Sequence, residues 1–253
     1  MNEQLHKIIV FILFRNVRNY IVDCVNSVLN QAYSNYEIYL LDDHSDDGTL
    51  NEIGDEIKHI HKIQNKRRLG AMESLFRGLV RFPFNNEDII VVVDGDDFLL
   101  GEYVFQMLNA KYNEENILIT YGQCITNYGY VKKFIPYTRE DFNNIRNAYW
   151  NTPHLRTFKY KLFKQLLELD PNVNCFKHED GTFLKSTADM GLMFPLLEIA
   201  GYENAFCFPN VLYCYRLHAN NDDSTEEGRN LQLNTEYYIR SKQPLTQISS
   251  VSK

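Results

Sequence analysis

Five aspartates carry the first chemical signal in the chain. Asp42 and Asp43 follow the run Tyr36 to Leu41, and Asp94, Asp96 and Asp97 follow the β-branched run Ile89 to Val93. Hard divalent cations take oxygen ligands, and Mg²⁺ or Mn²⁺ is commonly held by one or two protein carboxylates while phosphate oxygens and water complete the shell. An Asp-Gly-Asp-Asp sequence at a strand end suits that need, because Gly95 lets the backbone turn tightly and neighbouring carboxylates aim at one ion. A lone Asp-Gly pair would be an ordinary turn or helix cap. Several carboxylates gathered at one sheet edge repel one another, however, so their joint presence asks for a cation or a ligand.

For these carboxylates to meet, strands must end side by side. Ile8 to Phe14 is a continuous apolar run of the kind buried on both faces of a parallel sheet. Ile21, Val25, Val28 and Leu29 keep helical spacing, and Tyr36 to Leu41 completes a βαβ unit. A short third strand is expected near His59 to Gln64, then a helix with Met72, Leu75, Phe76 and Leu79, then a central strand at Ile89 to Val93. This alternation predicts a doubly wound, mostly parallel α/β sheet whose ligands bind beyond the carboxyl ends of the strands. From about residue 111 the pattern loosens. A strand is expected at Ile117 to Tyr121, a binding surface in the Tyr-, Asn- and Phe-rich stretch to Trp150, a helix through Leu162, Leu166 and Leu169, and another from Asp189 to Ala200 stopped by Gly201. Residues 220–253 are polar without a clear period and are expected to form an exposed helix or a loosely held tail.

The bulk properties narrow the class. The 253 residues suit one compact folding unit, and 44% hydrophobic with 23% charged residues is ordinary soluble composition. A net charge of −7 without a long basic stretch argues against nucleic-acid binding, and the short run Lys66, Arg67, Arg68 suits at most one anionic group. Five scattered cysteines with no CxxC pair argue against a disulfide framework or structural zinc. The apolar run Ile8 to Phe14 is too short to span a bilayer, and no signal-peptide cleavage pattern follows it. The simplest expectation is a cytoplasmic enzyme without an integral membrane segment, with peripheral membrane contact left open.

Three segments in order, FRNVRNYIVDCVNSVLNQ, YEIYLLDDHSDDGT and IIVVVDGDDF, resemble the GT-A glycosyltransferases, and within them family 2; together they cover about the first 100 residues. The resemblance implies a Rossmann-like GT-A fold, with a nucleotide-sugar-binding half at 1–110, an irregular acceptor-binding half at 111–220 and a polar C-terminal segment at 221–253. It also implies inverting transfer of a sugar from a nucleotide-sugar, a UDP-sugar by family frequency, to a glycan, lipid-linked or protein-linked acceptor with Mn²⁺ or Mg²⁺. On this pattern Asp43, with Asp42 beside it, contacts the donor base. The DxD-type motif is Asp94, Gly95 and Asp96, followed by Asp97; Asp96 meets the ribose or diphosphate and Asp97 the metal, with the division between these two left open, so that the implied metal set is Asp96, Asp97 and His218. The chain departs from the common pattern at Phe14, Arg15 and Asn16, at His44, and in NKRRLGAMES, which bears on donor contacts at Arg68 and Gly70.

Inverting transfer needs a base for the acceptor hydroxyl, and Asp or Glu suits that role. Asp189 is the first candidate, because the family's base similarly precedes a helix ending in Gly; Asp is also a good helix N-cap, so a structural role competes. Asp180, in the pair Glu179-Asp180, is the second candidate. The segment HLRTFKYKLF resembles an acceptor-site floor, which points to His154 and Arg156, and Trp150 offers a flat face for a sugar ring. YRLHANNDDS resembles the late loop that closes over the diphosphate, placing Arg216 on the donor and His218 on metal or phosphate. Two alternatives stay open. A sugar-phosphate nucleotidyltransferase would normally show a Gly-rich basic loop where this chain reads FRNVRNY, and a glycan-binding domain could keep the fold without catalysis.

Overall fold

The computed structural model describes residues 4–55, 57–114, 116–219, 221 and 224–245. Asn220, Asp222 and Asp223 of the late loop and residues 246–253 of the expected tail lie outside the described residues. The elements run β1 (Ile8–Phe14), α1 (Ile21–Leu29), β2 (Tyr36–Asp42), β3 (Ile60–Gln64), α2 (Ala71–Arg81), β4 (Ile89–Asp94), β5 (Phe98–Leu99) and α3 (Val104–Tyr112). There follow β6 (Ile119–Thr126), β7 (Val131–Lys132), α4 (Arg139–Asn143), β8 (His154–Lys159), α5 (Tyr160–Leu169), α6 (Ala188–Ala200), β9 (Ala205–Tyr215) and α7 (Glu226–Ser241).

One sheet joins them in the order β3-β2-β1-β4-β8-β6-β9-β5, with β7 paired to β6. The first four strands are mutually parallel, β8 runs against both of its neighbours, and β6 and β9 are parallel again. Residues 1–110 and 111–220 therefore share one sheet, since β5 of the first segment pairs with β9 of the second.

Alternation along β1 builds two cores. Ile9, Phe11 and Leu13 face a layer containing Met72, Leu75 and Leu79 of α2 with residues of α5 and α6, whereas Ile8, Val10 and Ile12 face α1 and α3. Helix α6 is apolar around nearly its whole circumference, as a helix enclosed by its neighbours must be. Gly201 ends it at φ 74°, a left-handed value that favours glycine. The helix starts at Ala188, one residue earlier than expected, and Thr187 occupies the N-cap position. Asp189 is thus in the first turn and is not the cap.

Of the two forms expected for the C-terminal segment, its described residues take the helix: Glu226–Ser241 is mostly exposed but docked along one face. Thr235 and Ile239 of α7 are buried. Beside them the Arg146 guanidinium donates to both carboxylate oxygens of Glu198, at 2.5 and 2.9 Å, and to the Ile239 carbonyl. The two ionic side chains are only 3% and 5% exposed. Removing one partner of such a pair strands the other charge in the interior, so Glu198→Ala is expected to lose about 3–5 kcal/mol of folding stability. Urea denaturation checks this, and a loss below about 1 kcal/mol would mean that the pair behaves like a solvated surface bridge.

Among the described residues no helix is long and apolar enough to cross a membrane. All five cysteines are free thiols.

Candidate active site

Parallel register brings the acidic loops to one edge: Phe14 of β1 lies opposite Asp42, and Leu13 lies opposite Asp94. The two groups of carboxylates then behave differently.

Each side-chain oxygen of Asp42 and Asp43 accepts at least one hydrogen bond from a protein donor. Asp42 accepts from the Ser45 amide and from Gln64 Nε2, both at 2.8 Å. Asp43 accepts from the Leu69 and Gly70 amides at 2.7 and 2.8 Å, from Asn65 Nδ2 at 3.0 Å and from Ser74 Oγ at 3.3 Å. The pair therefore shapes the segment 64–70, and amides rather than a cation meet its charge. Gly70, at φ 94°, turns that segment into α2, while Arg68 is exposed. A recess of about 710 Å³ opens beside it, walled by Asn65, Lys66, Arg67, Ser74, Arg77 and Arg81 among others. A second, of about 300 Å³, is walled by Asp42, Ser45, Asp46, Thr49, Asn51 and Gln64 among others. Neither takes a wall from residues 94–97.

The second acidic loop turns against β1. A Cβ on Gly95 would lie 2.5 Å from Phe14 Cβ, so only glycine fits. Asp97 is fully buried, and its Oδ1 accepts from the Arg216 amide at 2.7 Å. Its Oδ2 has no hydrogen-bond partner. Burial, followed by the neighbouring Asp94 and Asp96, pushes the Asp97 carboxyl well above its ordinary range, with the Arg216 amide and the Tyr213 hydroxyl opposing the shift. A buried oxygen left in this state is what a bound cation relieves.

One oxygen each from Asp94 and Asp97 and one ring nitrogen of His154 lie within 4.8 Å of one another. The His154 ring stacks on Tyr213 with centroids 4.4 Å apart. Burial, then the charges of Arg156 and Lys132, hold its pKa well below the usual histidine value, which keeps the imidazole neutral and able to ligate. The residues present thus fit a divalent cation. The grouping differs from the set named from sequence: Asp97 is joined by Asp94 and His154, whereas Asp96 pairs with His218 Nε2 at 2.9 Å. Arg216 ties the two groups together, donating Nε to the Asp96 carbonyl and Nη2 to Asp23 while lying over the Tyr20 and Phe98 rings.

On the other side Arg156, buried in β8, donates Nη2 to Asp94 at 2.7 Å. Asp189, in the first turn of α6, feels the same pair. Burial raises its pKa, the attraction of Arg156 opposes the rise, and repulsion from Asp94 adds to it. Its side chain keeps part of its surface. Asp180 lies elsewhere, in an exposed turn where Thr182 donates both its amide and its hydroxyl to it, which holds that carboxyl below its usual value. Trp150 packs edge-on against Phe194 of α6, with centroids 5.2 Å apart. Tyr213 was not anticipated, although it supports His154 and accepts from the Asp94 amide. The signal was available only to a reading of 205–215 as a strand, in which Tyr213 and Tyr215 share a face.

Comparison with known proteins places this arrangement. The chain is 34% identical over 108 residues to an uncharacterized glycosyltransferase of Haemophilus influenzae, an alignment covering 42% of the chain and 32% of that relative. The fold is similar to S. aureus TarS in complex with UDP-GlcNAc, with a TM-score of 0.65 at 18% identity, covering 85% of this chain and 60% of that one. It is also similar to the mannosyltransferase PcManGT of Pyrobaculum calidifontis in complex with GDP-Man and Mn²⁺, with a TM-score of 0.60 at 16% identity, covering 94% of this chain and 65% of that one. The chain thus spans about a third of the curated relative's length and under two thirds of either solved chain. Residues 9–167 match the family described as Glycosyl transferase family 2, which takes in β1 through most of α5 and more than half of the sequence. The chain belongs to glycosyl transferase family 2.

Proposed function

We propose that the protein is an inverting glycosyltransferase that moves a sugar from a nucleoside diphosphate sugar, a UDP-sugar in our reading, to a hydroxyl of a glycan, lipid-linked or protein-linked acceptor. The observation that carries this reading is the buried, unpartnered Asp97 Oδ2 beside Asp94 and a neutral His154, with Asp189 close enough to feel the charges of Arg156 and Asp94. Two solved relatives of the fold, bound to UDP-GlcNAc and to GDP-Man with Mn²⁺, support it.

Asp97, Asp94 and His154 would hold Mn²⁺ or Mg²⁺. When bound, the ion supplies positive charge that offsets the charge appearing on the departing diphosphate. Asp189 takes the proton from the acceptor hydroxyl as that oxygen attacks the anomeric carbon on the face opposite the diphosphate; the bond to the diphosphate breaks, and the configuration inverts. A raised carboxyl pKa suits a group that must accept and later release this proton. Arg156, paired with Asp94, keeps that aspartate oriented and lowers the repulsion Asp189 feels from it. Arg216 and His218, both fastened to Asp96, form the side over which the diphosphate of the donor lies in this reading, and Trp150 belongs to the acceptor side.

The direct test is incubation with a panel of nucleotide-sugars and Mn²⁺, followed by measurement of free nucleoside diphosphate. Slow release by hydrolysis that a chelator abolishes is the expected result. Pyrophosphate exchange would show a nucleotidyltransferase, and nucleotide-sugar binding without release, with or without acceptors, would show a binding domain.

A further inference from the structure

The turn between β6 and β7 presents two tyrosine rings to solvent, Tyr128 at 68% and Tyr130 at 72% exposure, and Ile135 after the turn is 74% exposed. With Val131 these make four exposed large hydrophobic side chains within eight residues, a grouping of the kind that marks interaction sites. The turn is closed by backbone hydrogen bonds: the Gly129 amide donates to the Thr126 carbonyl at 2.8 Å, and the Thr126 amide donates to the Tyr130 carbonyl at 2.9 Å. The rings are therefore displayed by a built hairpin. Residues 127–137 also include Lys132 and Lys133 and no carboxylate, although the whole chain has a net charge of −7.

Contacts connect this surface to the reaction centre. Lys132 Nζ lies 4.8 Å from the Tyr215 ring centroid, and Tyr215 stacks on His154 with centroids 5.4 Å apart. The Lys132 charge is one of those felt by the His154 imidazole. The base of the turn is fastened to the late loop, because Asn127 Oδ1 accepts from the Leu217 amide at 2.9 Å and Asn127 Nδ2 donates to the Leu217 carbonyl. Leu217 stands between Arg216 and His218, so the hairpin is continuous with the wall of the acidic site.

We infer that the β6–β7 hairpin recognises the acceptor, and that the acceptor it fits is an anionic glycan. Tyrosine rings suit the C–H faces of sugars, while Lys132 and Lys133 suit phosphate or uronate groups. The inward reach of Lys132, toward Tyr215 and the reaction centre, favours a chain threaded from the site across the hairpin over a flat surface lying outside it. This inference rests on the transferase reading above and extends it to the substrate class.

The test reads binding, so that it does not depend on turnover. Oligogalacturonate and heparin-derived oligosaccharide are titrated into the full chain, with neutral maltohexaose as the comparison. The wild type is expected to prefer the anionic probes, and both the Tyr128→Ala/Tyr130→Ala and Lys132→Gln/Lys133→Gln variants are expected to lose about tenfold in affinity, equivalent to about 1.4 kcal/mol. Thermal denaturation confirms that the variants fold. Equal binding of neutral and anionic probes, or anionic binding unchanged in both variants, overturns the inference. So does binding to phosphatidylglycerol vesicles that both variants lose without any glycan binding, which would assign the hairpin to a membrane surface. Nucleoside diphosphate release by the wild type is scored separately, so a failed transferase reading is distinguishable from a failed acceptor surface.

Discussion

Asp189→Asn is expected to lower the rate of sugar transfer by about 10²–10⁴-fold, the usual contribution of a positioned general base, while nucleotide binding in Mn²⁺ stays within about twofold of wild type. The substitution keeps the shape of the side chain but removes its charge and its ability to take a proton, and puts an NH2 donor where one oxygen was. Thr187 holds the N-cap position of α6 without a side-chain cap bond, and the Asp189 carboxylate itself accepts from first-turn amides, a contact the Asn oxygen can keep. The first turn gives up a favourable negative charge, worth about 0.3–1 kcal/mol at a helix N-terminus. Single-turnover transfer with labelled donor, alongside calorimetric titration with nucleoside diphosphate, separates the two effects. Undiminished transfer would move the base to another residue, and parallel loss of transfer and nucleotide binding would make Asp189 structural.

Asp97→Asn is expected to act in opposite directions on binding and stability. Loss of the ionised oxygen should weaken Mn²⁺-dependent nucleoside diphosphate binding by at least about 100-fold, because losing even an outer-shell partner of a metal ligand costs about 10–100-fold. Stability of the metal-free protein should hold or rise, because the carboxylate replaced is fully buried with one oxygen unpaired. A neutral amide can still accept from the Arg216 amide through Oδ1. Titration with Mn²⁺ and thermal denaturation in chelator check the two halves. Nucleotide binding that needs no metal and ignores the substitution would remove the cation from the site. A large loss of stability in chelator would show that Asp97 holds the fold.

The sheet edge was legible in the sequence because its strands are buried on both faces. The runs at Ile8–Phe14 and Ile89–Asp94 leave no polar position inside them to blur the pattern. Strand β9 was not legible: Pro209 interrupts it, its burial pattern lacks clean alternation, and its register with β6 shifts twice. Strand β8 was hidden by its polar residues. His154, Arg156, Thr157 and Lys159 are all buried there, held by partners no local pattern reveals, such as Asp94 for Arg156 and Tyr112 for Thr157. The same cause limited the site. Local spacing marked the acidic loops as neighbours on one sheet edge, but grouping Asp94 with His154, and Asp96 with His218, depends on segments 60 and more than 120 residues further along. Spacing also gave no sign that Asp42 and Asp43 spend their hydrogen-bonding capacity on residues 45–74.

The clamp on Asp97 also bears on how the protein is made. Its only hydrogen-bonded oxygen is held by the amide of Arg216, which follows β9, and β9 must first pair with β5 beside the acidic loop. Ordering such distant segments requires closure of a long loop before any contact rewards it, which slows the step. A nascent chain that has emerged only through α3 carries every aspartate of the acidic motif yet lacks His154, Arg216 and the strand that positions them. On the proposed reading, cation binding is therefore acquired late, when the segment carrying Arg216 docks. Fragments ending before residue 216 should remain blind to Mn²⁺ even where β1 to β4 have paired.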